Sequence, residues 1–134
     1  MKTLYQSLLD YDMALLRAIA QRRGISLPSN RRREAVQVLS EALAQPEAMA
    51  RIWEELNPEE REALLTLARA GGRMSAAVFT RRFGEVRPMG PGRLAREQPW
   101  CSPMSPAEGL WYAGLIYRAF APLDEQGPMV EFVY

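Results

Sequence analysis

The chain has 134 residues, 48% of them apolar and 25% charged, which suits one domain or two very small ones around a buried core. With no histidine and one cysteine, Cys101, it has no internal disulfide, no zinc site of the usual Cys/His kind and no imidazole base for Ser-His-Asp or Cys-His catalysis. The net charge of +1 hides a basic, acidic, basic order: six arginines and no acid from Arg17 to Arg33, seven glutamates and two arginines from Glu41 to Glu62, seven arginines and one acid from Arg69 to Arg96.

Residues 4–23 place Leu8, Leu9, Met13, Leu15, Leu16, Ile19 and Ala20 at helical spacing, which predicts one helix, or two if Asp10 or Asp12 caps an inner start, stopped at Gly24. ISLPS is an extended connector, since Leu27 precedes a proline. Asn30 is the expected cap of a second helical run with Val36, Leu39 and Leu43 on one side. Pro46 fits the first turn of the next, where Met49, Ile52, Trp53 and Leu56 form a stripe expected to be core. Asn57-Pro58-Glu59-Glu60 is a capping-box start for a helix that Gly71-Gly72 ends. Ser75 is expected to cap AAVFTRRF, which Gly84 closes. Residues 85–105 are rich in Pro and Gly, with a short helix around Gly92–Gln98. Ser105-Pro106 starts a helix that stops at Gly114. LIYRAFAP and PMVEFVY around a DEQG turn then read as a β-hairpin.

The expected fold class is therefore mainly α with a C-terminal β-hairpin. From residue 57 the order is helix, connector, helix, short helix, helix, strand, turn, strand, with the junction LWYAGLIYRAF joining helix to hairpin. This order resembles the winged-helix domains of bacterial DNA-binding proteins over residues 57–134. The resemblance implies one helix in the major groove and a hairpin wing against the backbone. The helix before the wing carries Glu108 and no base, so the basic candidates are Arg81 and Arg82, and Arg93 and Arg96.

ALLRAIAQRRGISLPSNRRREAVQVLSEAL, residues 14–43, is similar to the SAP helix–loop–helix. Leu15, Leu16 and Ile19 fill its first helix, Arg23-Gly24-Ile25 gives its Arg-Gly-hydrophobe step, and Arg31 to Arg33 its basic loop. The resemblance implies DNA contact through the backbone. Independently, Arg22, Arg23, Arg31, Arg32 and Arg33 are expected to converge at one end of the two-helix unit, beside the amides of a helix start that favour an anion. The whole pattern also resembles, loosely, uncharacterised bacterial helicase-associated N-terminal regions.

These readings divide the chain into a helical SAP-like subdomain, 1–56, packed on a winged-helix-like subdomain, 57–134. The expected function is a non-catalytic DNA-binding or DNA-associated module that docks by phosphate contact with little base readout. The alternative is a protein-interaction or scaffolding domain using the acidic middle and the Pro/Gly loop. No nucleotide-binding motif is present, and no catalytic residue, cofactor or metal is expected. No apolar run approaches the ~20 residues that span a bilayer, and the start MKTLYQSLLDYD lacks signal-peptide form, so the expected location is the cytoplasm. The apolar end PMVEFVY points to the N-terminal part of a longer protein.

Overall fold

The computed structural model describes residues 4–27, 31–122 and 129–133, with side chains as far as Arg118. The chain is mainly helical. In order come α1 (Leu4–Leu9), α2 (Met13–Arg23), α3 (Arg32–Leu43), α4 (Pro46–Glu55) and α5 (Pro58–Arg69). Then follow β1 (Met74–Ser75), α6 (Ala76–Phe83), α7 (Pro91–Glu97), a 3-10 turn at Pro99–Cys101, and α8 (Pro106–Tyr112). Extended backbone at β2 (Arg118–Pro122) and β3 (Met129–Val133) pairs antiparallel, and β1 adds to the far side of β3, giving the order β1-β3-β2. The expected DEQG turn and the expected cap Asn30 lie outside the described residues.

Local chemistry sets most of the helix ends. The first apolar run is two helices, because the Asp12 side chain accepts from the Leu15 amide and starts α2 afresh. Gly24 takes φ +69°, the left-handed geometry that lets the Ile25 amide reach back to the Ala20 carbonyl. At α5 both halves of the capping box form: Glu60 N–H donates to Asn57 Oδ1 at 2.8 Å, and Asn57 N–H to Glu60 Oε1 at 2.9 Å. Ser75 departs from expectation. It makes no side-chain cap bond, and its backbone is drawn into β1 opposite Phe132.

Three apolar clusters form the core, and each takes side chains from both sides of residue 57. Ile52 of α4 and Leu56 just beyond its end pack with Ala63, Leu67, Phe79, Phe83, Leu110 and Ile116. Tyr117 closes the cluster of Leu8, Leu16, Ile19, Val36, Leu39 and Leu43. Ala18 of α2 packs with Leu94, Trp100 and Tyr112. The α4 stripe is only half core: Ile52 and Leu56 are buried, while Met49 and Trp53 are exposed.

Gly109, inside α8, lies against the Glu60 side chain of α5. A helix-interior glycine costs roughly 1 kcal/mol against alanine, so it signals a close approach. A Cβ there would overlap the Glu60 carboxylate, coming within 2.9 Å of its Cδ. Gly109→Ala is expected to push that carboxylate off the Asn57 amide and lower stability by about 1–2 kcal/mol. Urea unfolding checks this. Glu60→Ala should cost less on the Gly109→Ala background than alone, because one contact is then lost once.

Candidate functional site

The arginines expected to share one phosphate surface have different neighbours. Arg32 donates to the carbonyls of Leu9 and Tyr11, the latter at 3.4 Å, at the end of α1 just before α2 begins. Arg23, at the other end of α2, donates to Ala113 O at 2.8 Å and Ala48 O at 3.1 Å. The start of α3 thus lies beside the start of α2, and Arg23 and Arg32 are separated by roughly 16 Å of helix, eleven residues at 1.5 Å each. Arg22 pairs with Glu55 of α4 at 2.9 Å. Arg31 lies 3.5 Å from Glu34, and Arg93 pairs with Glu97 one turn along α7. Among the described residues, Arg33, Arg81 and Arg96 are exposed and make no ion pair, and Arg82 rests over the ring of Phe83.

Arg23, Arg32 and Arg61 act alike, each laying a guanidinium group over carbonyls at a helix end. Arg61 donates to Trp53 O at 3.0 Å and Glu54 O at 3.1 Å, the last turn of α4. Arg23 does this for the end of α8, and Arg32 for the end of α1. Each places a fixed charge against the negative end of a helix dipole and adds a donor to its last carbonyls; Arg23 also reaches Ala48 O in the first turn of α4. Burial, with Arg22 alongside, lowers the pKa of Arg23 from its ordinary value, and its charge is retained.

Glu108 is the least expected residue of the structure. Its side chain is fully buried. Arg87 grips it in a fork, Nη2 to Oε1 at 2.7 Å and Nε to Oε2 at 3.0 Å, while the amides of Arg87 and Met104 donate at 2.9 and 3.1 Å. Burial alone pushes its carboxyl up, but the Arg87 side chain and the two amides outweigh this and hold it below the usual carboxylate range. Ser105 completes the clasp, accepting from the Glu108 amide at 3.1 Å and donating to Glu85 O at 2.8 Å. The Pro/Gly segment is thus pinned onto α8. The sequence hints at this only through the small neighbours Ala107 and Gly109. Its partner, Arg87, is 21 positions away.

The clasp helps enclose α8. Ala107, Glu108, Leu110 and Tyr112 are buried, against α2, α5, α6 and the 99–101 turn. Half-buried Trp111 is covered by Arg118, 5.0 Å from its ring centre, and by Tyr11. A cleft of about 630 Å³ opens between the end of α2 and the starts of α5 and α8, where Arg22 sits with Glu59 and Glu60, so its lining has no excess positive charge. Among the described residues there is no cluster of three metal-ligating side chains and no helix long and apolar enough to cross a membrane. No family model, curated protein or solved structure matches the chain.

Proposed function

We propose that the chain is a non-catalytic cytoplasmic binding module that works through protein contacts on a winged-helix frame. The order α5, β1, α6, α7, α8, β2, β3 with strands arranged β1-β3-β2 supports that frame, with β2 and β3 as its wing. The helix pair α2 and α3, in contact with each other, supports a SAP-like reading of residues 14–43. The observation that carries the functional reading is the burial of α8. In a winged helix this is the element that enters the major groove, and here it is walled in by α2, the 99–101 turn and the Glu108 clasp.

A second reading, docking on DNA phosphates without base readout, draws on Arg33, Arg81, Arg82 and Arg96, which are exposed and have no carboxylate partner among the described residues. One titration separates the two: fluorescence anisotropy of a labelled duplex of about 20 base pairs at rising salt. The protein-contact reading expects a Kd weaker than about 100 µM at physiological salt, the weak limit of ordinary non-specific binding. Micromolar binding that fades steeply with salt and is lost in Arg81→Ala/Arg82→Ala overturns it in favour of phosphate docking.

A further inference from the structure

We propose that the groove between α2 and α7 binds a small carboxylate with an apolar body, and that the Trp100 indole N–H is one of its donors, an inference independent of the partner contacts proposed above. Trp100 is 8% exposed, and its indole N–H is shielded from solvent with no acceptor among the described residues. A buried donor without an acceptor is costly, and folded proteins leave few of them. The ring is firmly held. It packs with Ala18 and Leu94 and meets the Tyr112 ring at 6.1 Å between centres.

The same ring lines a groove of about 290 Å³ where α2 and α7 touch, near the lower end of the range for small-ligand sites. Its walls are short and apolar, Ala14 and Ala18 from α2 and Leu94 and Ala95 from α7. Its polar side chains, Arg17, Gln21, Gln98 and Trp100, all carry N–H donors. Gln98 Oε1 accepts from the Cys101 thiol at 3.8 Å, which leaves its NH2 group as a donor. Gln98 is also the one non-glycine residue with positive φ among the described residues, at 46°, where α7 ends and the 99–101 turn opens. Backbone held in that region is costly and clusters at ligand-holding positions.

Charge selects the ligand. Arg17 is the one charged side chain in the lining, and no carboxylate is present there. A single cation beside an indole N–H and alanine walls suits a monoanion with a compact hydrocarbon body better than a phosphate. The wider cleft that Trp100 also lines includes Glu59 and Glu60, which would repel the same anion. Gln21 and Gln98 are exposed, so their side chains can turn aside to let the carboxylate reach the indole N–H.

The test is titration of the ¹⁵N-labelled whole chain followed by nuclear magnetic resonance. The chain has three tryptophans, and the Trp100 indole peak is the one missing in Trp100→Phe. Benzoate and hexanoate are expected to move that peak downfield and saturably, with a Kd tighter than about 10 mM, the value that drug-like efficiency gives a ligand of about nine heavy atoms. Benzyl alcohol and hexanol should leave it in place. Ala95→Leu, which fills the groove from an exposed position, should abolish the shift while the rest of the spectrum stays folded. Arg17→Gln should weaken binding at least ~10-fold. The tripeptide acetyl-Ala-Ala-Leu, with a free or an amidated C-terminus, distinguishes the source: tighter binding by its free form than by hexanoate assigns the carboxylate to a peptide C-terminus. A Trp100 peak unmoved at about 50 mM, five times the expected limit, overturns the inference. So do equal shifts by the alcohols, or a shift that persists in Ala95→Leu or is unweakened in Arg17→Gln.

Discussion

Replacing Glu108 by alanine is expected to lower the unfolding free energy by about 3 kcal/mol, a large share of the roughly 5–15 kcal/mol typical of a domain. The carboxylate is fully buried and accepts from one guanidinium and two backbone amides, so its removal strands several donors. Glu108→Gln is expected to keep one acceptor but turn an amide toward Arg87, losing most of the same stability. Because the folded pKa is depressed, the contribution is fully present above the unfolded value of about 4.3 and is lost as pH falls through the lower folded value. Urea midpoints measured from neutral pH down to strongly acidic pH should therefore show a larger acid loss in wild type than in Glu108→Gln. Equal midpoints for wild type and both variants at neutral pH would show that the clasp contributes nothing.

Arg23→Ala is expected to cost about 2–3 kcal/mol, the range for hydrogen bonds from a charged donor in a partly buried site. It leaves Ala113 O and Ala48 O without the guanidinium that joins α4 to the end of α8. Arg23→Lys keeps the charge but not the two-pronged geometry, and should recover only part of the loss. Arg33→Ala and Arg81→Ala, on exposed residues without carboxylate partners among the described residues, should stay within about 0.5 kcal/mol of wild type. Chemical denaturation of the four variants side by side checks this order. An Arg23→Ala protein as stable as Arg33→Ala would contradict the capping role. The order also bears on binding assays: lost binding in Arg23→Ala reports unfolding, whereas lost binding in Arg81→Ala/Arg82→Ala reports a contact.

The helices were legible because their ends depend on neighbours in the chain. Asn57, Glu60, Gly24, Pro46 and Ser105 act within a turn or so of their own positions, and all act at the helix ends where the sequence places them. The site was less legible because it depends on distant partners. Arg23 reaches a carbonyl 90 positions away, and Arg87 a carboxylate 21 away. A run of arginines has the same appearance whether its guanidinium groups meet phosphate or helix-end carbonyls. Likewise Met49, Ile52, Trp53 and Leu56 share helical spacing, yet the stripe spans more of the circumference than the neighbouring helices cover. Which edge stays in water is decided by where the rest of the chain packs against α4. The mainly helical class survives this, since period and punctuation alone carry it.

Because Tyr117 belongs to a cluster otherwise drawn from the chain up to Leu43, and Ile52 and Leu56 to one otherwise drawn from Ala63 onward, neither half keeps a complete interior by itself. Such a chain is ill suited to gene shuffling at its midpoint: a crossover near residue 57 would hand each descendant half of somebody else's interior. Variation in length and composition is better tolerated at exposed loop tips, where no apolar surface changes hands.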